Sequence, residues 1–550
     1  MKNGLKDQAT RTCRQLLSEI NRDPASSSYG CFDRRYWAWK LTDFPEATFQ
    51  RNLAGLSWLY RQQRSENQAR NLANVISSGL EFAFKIQHPD GSFDQAYPYE
   101  HSYGATGFLL PDLTTSYKTI SSQCSVREVQ NFESGLHKAA DFLTTHTEQH
   151  SMISNHLAGA ALGLFKAGEM LHEKRYSDHG QFLLNSIIMN QSTEGWFPEY
   201  GGADPGYQTL CMHYLAQIYT IKPSPELHQV LGKSLEFLKY FAHPDGTFGG
   251  EYGSRRTEIY YPGGIALLAG EFPDAASLHQ YMLSSIEAGN TVTLADVDMG
   301  NTAPLLNSYL LALDAGKSVS RSSTLPFQEL DVNRDFPLSG LAVRSRKDFH
   351  LILGSSNGGV VKIFDKKSGA LVLDDCGVLG VNKKNEKLTT QSTQLNNSTQ
   401  NSTNELVCES YFYPIKDTLP NPSNYLVLRL MNLTLMRIGF LNEVLKKIMV
   451  RTLIKNSKWI NLTRLREIDL KPQSIEITDT FRKFTKTQLA GLSQGFKFTS
   501  IHMASARYFS PSQAELSETQ ILDHAELNIK GTLTFHKQIS FKKPTDGRSK

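Results

Sequence analysis

The chain has 550 residues, with an apolar fraction of 40% and a charged fraction of 20%, as in ordinary globular proteins. A single hydrophobic core stops growing at roughly 250–300 residues, so two domains are expected. The net charge of +4 is small for this length and argues against a nucleic-acid partner, which would need a concentrated basic surface.

Helical periodicity dominates the first part of the chain, to about residue 315. Apolar residues recur at helical spacing in 49–60, 72–86, 136–143, 157–171, 181–189, 209–219, 230–241 and 303–313. A similar loop recurs between several of these segments, at 87–97, 192–200 and 242–252. Each copy has an acidic residue, a glycine, an aromatic residue and then a tyrosine.

The spacing of these loops indicates a repeat. Asp90 and Glu194 are 104 residues apart, and Glu194 and Asp245 are 51 apart, which fits a unit of about 51–52 residues with one degenerate copy near 142. Such a unit holds two helices and a loop, and its Asp-Gly turn supplies a positive φ. Stacked hairpins bury their apolar faces either as an open solenoid or as a closed ring. We expect the loop aromatic to fill the space between neighbouring hairpins.

The pattern changes to strands after a segment without periodicity. We predict a helical domain over 1–320, a linker over 321–340 and an antiparallel β-sandwich over 341–550. Strands are expected at 341–356, 358–365, 370–377, 405–413, 424–436, 460–470, 474–481, 495–504 and 527–536, with a hairpin turn at 366–369. The polar stretch 383–405 is expected to be a loop. The basic amphipathic segment 438–459 predicts a helix on the sandwich, with peripheral membrane contact as the alternative.

Three residues at two helix starts suit one kind of chemistry. Asn155 and His156 open an apolar Gly/Ala-rich segment, and Tyr207 opens another segment 51 residues after His156. Removing a proton beside a carboxylate requires the carboxylate to be neutralised, and amide donors from Asn serve this need. The reaction also requires a base and an acid, for which His and Tyr are suited. The three residues therefore form a predicted catalytic centre.

This combination resembles the heparinase II/III-like and alginate-lyase-like polysaccharide lyases. In that family an adjacent Asn-His pair and a later Tyr form the catalytic centre, which Asn155, His156 and Tyr207 match. The loop 195–199, Gly-Trp-Phe-Pro-Glu, also fits because it precedes the Tyr helix. The resemblance implies an (α/α) toroid followed by a β-sandwich, and β-elimination of an acidic, uronate-containing polysaccharide or oligosaccharide. Two departures are the lack of Arg within 195–215 and of a His-rich segment in the sandwich, where His350 stands alone.

Substrate contacts are expected from polar and aromatic residues around the loops. Aromatic rings stack on sugar faces, and an Arg fork binds carboxylates through two hydrogen bonds. The predicted contacts are His101, Tyr103, Trp196, Glu199, His213, Arg255, Arg256, Tyr260 and Tyr261. No cofactor or metal is expected, since the pair His146 and His150 lacks the HExxH order of a helical zinc site.

Other interpretations remain open at this stage. A uronyl C5-epimerase would use the same carbanion and return the proton to the other face. A glycan-binding scaffold would keep the cleft without the reaction. A terpene cyclase has similar loops, but the DxDD and DDxxD motifs are missing. Structurally, Asn155 suits a helix N-cap, and His156 and Tyr207 suit ordinary packing roles.

Cysteine usage and the N-terminal sequence bear on location. The six cysteines are widely spaced without a CxxC pair, which argues against a disulfide framework or a zinc site and favours a reducing compartment. The first twenty residues have no apolar core of a signal peptide. A cytoplasmic location is therefore predicted, although a chain with its signal removed would look the same. The oligomeric state is left open.

Overall fold

The computed structural model describes residues 4–38, 42–148, 153–316, 323–391, 398–415, 421–439, 441–445, 459–484, 486–495, 497–500, 508 and 519–541. Within these residues, thirteen α-helices precede the strands. They are α1 Leu5–Glu19, α2 Arg34–Trp37, α3 Leu53–Arg61, α4 Glu66–Lys85, α5 Tyr103–Ile120, α6 Val126–Thr145, α7 Ser154–Met170, α8 Lys174–Met189, α9 Pro205–Ile221, α10 Pro225–Leu238, α11 Pro262–Leu268, α12 Pro273–Ala288 and α13 Met299–Asp314.

Apart from the short α2, these helices form an inner and an outer ring. The inner helices α3, α5, α7, α9, α11 and α13 contact one another in that order, and α13 returns to α3. The outer helices α4, α6, α8, α10 and α12 follow in the same way, and α12 contacts α1. The predicted hairpins therefore close into a toroid and do not form an open solenoid.

The repeated loop has the geometry that its sequence predicts. Gly91, Gly195 and Gly246 have φ values of 93°, 96° and 90°, which side chains with a Cβ rarely adopt. The aromatic residues Phe93 and Phe248 are fully buried. The turn and the aromatic plug thus recur from unit to unit.

Polar side chains fill the inside of the ring. Lys166 donates to Thr115 Oγ1 at 3.0 Å and to Gln217 Oε1 at 3.3 Å, and each partner lies 51 residues away. Arg51 Nε lies 2.8 Å from Asp112 Oδ2 on α5, which also accepts from Asn307 on α13. These bonds join helices across the ring, so its interior is occupied and a binding site must lie at one of its ends.

The second half of the chain is antiparallel. Its strands are β1 Val332–Phe336, β2 Leu341–Ser345, β3 Phe349–Gly354, β4 Val360–Asp365, β5 Leu371–Asp375, β6 Val378–Asn382, β7 Lys387–Thr389, β8 Ser398–Asn401, β9 Glu405–Pro414, β10 Ile460–Lys471, β11 Ser474–Lys483, β12 Leu489–Gln494, β13 Gln520–Ile521 and β14 Thr532–Ser540. Strands β1 to β5 form one sheet in chain order. The other sheet has the order β13-β12-β6-β7-β9-β10-β11-β14, and β8 pairs with β9. Among the described residues, the strands are interrupted by helices that include α14 Pro422–Leu433 and α15 His524–Lys530.

The five-stranded sheet lies between the helices and the other sheet. Alternate side chains point to opposite faces of a strand. On one face, Leu341, Val343, Ile352 and Val360 belong to the same hydrophobic core as the helical rings. On the other face, side chains pack against β10 and β11 of the second sheet, namely Leu351, Leu353, Val361 and Ile363 against Ile468, Ile475 and Ile477. The predicted β-sandwich is therefore confirmed, with one sheet covered on both sides.

Some predicted strands are wrong. Residues 424–433 of the segment predicted over 424–436 belong to α14, which begins after Asn421 caps the backbone N–H of Asn424 at 2.8 Å, and a 3-10 turn follows from Leu435. The first part of 527–536 is α15, which ends at Gly531 with φ 74°. Residues 495 and 497–500 are outside any strand, and the rest of 495–504 lies outside the described residues. Strand β1 lies inside the predicted linker, because it pairs with β2.

Candidate active site

The inner helices begin at one end of the ring, which we call the mouth. In a ring of hairpins every second helix runs in the same direction, so α5, α7, α9 and α11 start side by side. Hydrogen bonds connect these starts: Ser154 N donates to Pro198 O at 3.2 Å, and Tyr261 N donates to Thr209 Oγ1 at 3.0 Å. Asn155, His156 and Tyr207 are therefore all placed at the mouth.

A pocket of about 220 Å³ opens at the mouth beside His156. The imidazole Nδ1 lies 2.7 Å from Oε2 of Glu148, whose side chain is only 7% exposed. Phe108 contacts the ring edge-on at 5.1 Å between centroids. A Cβ on Gly104 would lie 2.7 Å from Nδ1, so only glycine leaves room for this imidazole position. These contacts fix the orientation of His156 and leave Nε2 as the nitrogen available to a ligand.

Asn155, which precedes His156, is fully buried next to a second carboxyl group, that of Glu199. Burial raises the pKa of Glu199 to about 8, while the charge of Arg255 and the amide of Asn155 act in the opposite direction. Glu199 also pairs with Ile153 through a β-bridge, which ties its loop to the start of α7. The amide of Asn155 thus lies beside the carboxyl group of Glu199 and close to the guanidinium of Arg255.

Tyr207 is half-buried at the start of α9. Its backbone N–H donates to the capping residue Asp204 at 2.9 Å. Burial raises the phenol pKa of Tyr200, Tyr261 and Tyr508, and the proximity of Tyr207 adds to each of these shifts. Tyr200 also lines the pocket that contains His156. Tyr200 is therefore close both to His156, with which it shares the pocket, and to Tyr207.

Arg255 supplies a cation to the same place. Its guanidinium lies 3.5 Å from the ring centroid of Tyr200, and its backbone N–H donates to Asp204 Oδ2 at 2.8 Å. The sequence has no Arg within 195–215, but the neighbouring repeat places Arg255 against Tyr200, which lines the pocket. Glu148 and Tyr200 were missed as site residues. The only sequence signal for Tyr200 is its place directly after the 195–199 loop, and Glu148 lies in the segment that was considered only for metal binding.

Two further predicted contacts lie at this pocket. His101 and Tyr103 both line it. His101 Nδ1 lies 2.7 Å from Asp90 Oδ2 and 2.8 Å from Ser92 Oγ, and its φ of 50° is left-handed. Tyr103 is buried, and burial raises its phenol pKa, with the charge of Glu148 adding to the shift.

The remaining predicted contacts are placed elsewhere. Burial and the charges of Arg51 and Lys166 lower the pKa of His213 to about 3, inside the ring. The other four are held by neighbours away from the pocket. Trp196 Nε1 donates to Glu194 at 2.8 Å, Arg256 donates to Thr499 at 2.9 Å and to Ser500 at 3.2 Å, Tyr260 packs on Phe248 at 5.1 Å, and Tyr261 is buried at the start of α11.

One group among the described residues has the spacing of metal ligands: Glu251, Asp374 and Cys376. Lys362 Nζ lies 2.9 Å from Glu251 Oε2 and 3.8 Å from Asp374 Oδ2, and Lys497 Nζ lies 3.2 Å from Glu251 Oε1. Two ammonium groups therefore already balance the carboxylates. This cluster connects the helical ring to the sheets.

Comparison with known proteins agrees with this geometry. Residues 59–265 match the family described as the Ulvan lyase N-terminal domain. A xanthan lyase from Paenibacillus has the same fold, at 11% identity and a TM-score of 0.53 over 89% of this chain and 46% of that one. A chondroitin AC lyase from Streptomyces coelicolor A3, solved with chondroitin sulphate, shows 11% identity and a TM-score of 0.55 over 89% and 67%. No curated protein matches the sequence.

The chain thus spans about half the length of the xanthan lyase and about two thirds of the chondroitin lyase. The family match and the shared fold confirm the resemblance to polysaccharide lyases of the α/α toroid type. The predicted toroid followed by a β-sandwich is confirmed with it. Among the described residues, no helix is long and apolar enough to cross a membrane.

Proposed function

We propose that this protein is a polysaccharide lyase that cleaves a uronate-containing acidic polysaccharide or oligosaccharide by β-elimination. The observation that carries the proposal is the pocket at the mouth, where Glu148 orients His156 at 2.7 Å beside Tyr200 and Arg255. The match to the Ulvan lyase N-terminal domain supports the same chemistry.

Neutralisation of the uronate carboxylate is the first requirement. The Arg255 guanidinium and the Asn155 amide are the donors for it, and negative charge that develops on the carboxylate strengthens both contacts. The starts of α5, α7 and α9 converge on the mouth, and exposed N–H groups at helix starts favour anions. The site is thus suited to an acidic sugar.

Proton transfer is the second requirement. With Nδ1 engaged by Glu148, His156 Nε2 takes the proton from C5 of the uronate. The electron pair of the broken C5–H bond forms the C4–C5 double bond, and the C4–O bond breaks. Tyr207 gives its phenolic proton to the leaving oxygen, so the products are an unsaturated uronate end and a free hydroxyl. Water then restores the proton balance between His156 and Tyr207.

The experiment is incubation with a panel of uronate polymers, monitored by the ultraviolet absorbance of the unsaturated product. Ulvan is the first substrate to test because of the family match, followed by chondroitin sulphate and xanthan. Tyr207→Phe is the inactive control. Deuterium incorporation at C5 in heavy water without new absorbance would identify a C5-epimerase. Binding without either signal would identify a scaffold.

The finer predictions about partners and location stay predictions. Peripheral membrane contact through 438–459 is supported by the exposed side chains of Ile438, Val444 and Trp459. Residues 440 and 446–458 of that segment lie outside the described residues. A cytoplasmic location likewise stays a prediction.

A further inference from the structure

A segment of the β domain crosses to the mouth of the helical ring. This crossing segment, described over 421–439 and 441–445, lies between β9 and β10. Arg429 Nε lies 2.7 Å from Asp43 Oδ2, and the Arg437 guanidinium lies 4.9 Å from the ring centroid of Tyr99. Asn442 Nδ2 donates to the carbonyl oxygen of Tyr99 at 2.8 Å. Three contacts therefore attach the segment to the loops that lead into α3 and α5.

The crossing segment contributes one side of the His156 pocket, through Gly439, Asn442 and Glu443. Asn442 is only 3% exposed, and its Oδ1 has no hydrogen-bond partner among the described residues. Tyr103 also lines the pocket, and its hydroxyl is likewise buried without a hydrogen-bond partner among the described residues. Leaving a buried polar atom unsatisfied is costly, so these two atoms indicate a polar ligand.

The size and charge of the pocket define that ligand further. Its volume of about 220 Å³ is below the roughly 300–1,000 Å³ of pockets that enclose a drug-sized molecule. Glu100 and Glu443 add negative charge to its lining, beside Asp90 and Glu148, which contact His101 and His156. A carboxylate accepts hydrogen bonds from sugar hydroxyls and repels sulfate. The lining therefore fits one uncharged, hydroxylated sugar next to the uronate.

We propose that the crossing segment closes one end of the substrate cleft and forms a subsite for the terminal sugar of the chain. Asn442 Oδ1 accepts a hydrogen bond from a hydroxyl of that sugar, and the polymer does not continue past Asn442. The enzyme then acts from a chain end and prefers an unsulfated terminal sugar. This inference rests on the proposed lyase function, which supplies the position of the uronate beside His156.

The first test is the size of the products formed early by the wild-type protein on its best substrate from the panel. Chain-end cleavage gives one short unsaturated product from the start, with a slow loss of polymer viscosity. A ladder of intermediate sizes at low conversion would overturn the proposal while leaving the lyase function intact. Absence of turnover on every polymer would instead count against the lyase function.

Variants test the residues. Asn442→Leu keeps a similar volume but removes both the acceptor and the bond from Nδ2 to Tyr99 O. Loss of the neutral hydrogen bond to the sugar alone should raise KM about 2- to 12-fold. Arg429→Ala releases the crossing segment and should add longer early products. Arg61→Ala is the matched control, because its ion pair with Asp314 at 3.0 Å is exposed and lies at the far ends of α3 and α13. Unchanged KM for Asn442→Leu would refute the subsite.

A binding measurement keeps the subsite testable without turnover. Calorimetry with an unsulfated chondroitin tetrasaccharide should show weaker binding to Asn442→Leu than to wild type by the same factor. The sulfated tetrasaccharide should bind wild type more weakly than the unsulfated one. Equal affinities across these pairs would refute the assigned ligand. Circular dichroism confirms that each variant is folded.

Discussion

Replacing Glu148 with Gln tests the proposed site most directly. The substitution keeps the shape of the side chain and removes its charge, 2.7 Å from Nδ1 of His156. Because Glu148 is only 7% exposed, solvent screens this contact little. Hydrogen bonds to charged groups contribute about 1.5–3 kcal/mol. At about 1.4 kcal/mol per tenfold, kcat should fall about 10- to 150-fold.

The split between kcat and substrate binding separates orientation from general damage. The Glu148 carboxylate holds the imidazole of His156 in place. Glu148→Gln should therefore lower kcat while substrate binding persists, whereas a misfolded variant would lose both.

The assay is the initial rate of ultraviolet absorbance increase over a range of substrate concentrations. Glu148→Asp should recover part of kcat because it restores the carboxylate. Glu271→Gln is the matched control: it faces His228 at 3.0 Å in an exposed pair on the outer ring and should behave as wild type. A Glu148→Gln enzyme with kcat close to that of wild type would refute the role of Glu148.

Four other perturbations follow from the same geometry. Tyr207→Phe should lower kcat by about 10²–10⁴-fold in the absorbance assay, since only the phenolic proton is lost. Asn155→Ala should lower it by about 10²–10³-fold through loss of a donor to the carboxylate. Arg255→Ala should raise KM for an acidic polymer and weaken its salt dependence, whereas Arg256→Ala should lower the free energy of unfolding by about 1–3 kcal/mol in urea titrations. The pKa of Glu199 is raised to about 8, so its contribution to stability is present below about pH 4.3 and is lost as the pH rises through about 8. Glu199→Gln should therefore flatten the decline of Tm between pH 5 and 9.

Other outcomes would assign individual catalytic or structural roles to different residues. If Tyr207→Phe keeps a near-normal rate, the proton comes from another group, and Tyr200 is the first to test because it lines the pocket with His156. His213 is a poor substitute, since burial within the ring holds its pKa near 3. Unchanged KM for Arg255→Ala would make that residue structural. A Tm that declines equally in Glu199→Gln and wild type would mean that another group titrates.

The sequence predicts the helical half well because its repeat has a local physical cause. A turn with a left-handed glycine recurs in three units, at Gly91, Gly195 and Gly246, so the period is visible even where the helices vary. Within a unit, the helical spacing of apolar residues then locates the two helices of the hairpin. The predicted helices omit α1, α5, α11 and α12. Of these, α5 is buried over most of its surface, as at Leu109 and Leu110, and lacks a clear polar stripe. The strand predicted over 424–436 is wrong because a short apolar run is compatible with both the helical and the strand period.

The contacts that complete the site could not be predicted, because they join separate repeats. Arg255 and Arg256 are adjacent in sequence, yet one stacks on Tyr200 and the other bonds to Thr499 of the β domain. The left-handed φ of 60° at Arg256 turns the backbone between them. Glu148 precedes His156 by eight residues, outside α7, and no periodicity relates them. Such contacts depend on loop conformation, which composition and spacing do not encode.

The position of the site follows from the closed ring itself. The interior is filled by the network around Lys166 and Arg51, so a polymer meets the protein only at an end of the ring. At the mouth, the inner helices of successive repeats begin at equivalent positions, but the side chains at these positions differ. One start carries Asn155 and His156, the next carries Tyr207, and the loop before α11 carries Arg255. In the proposed mechanism, carboxylate neutralisation, base and acid therefore come from neighbouring repeats, and a single sugar ring bridges them.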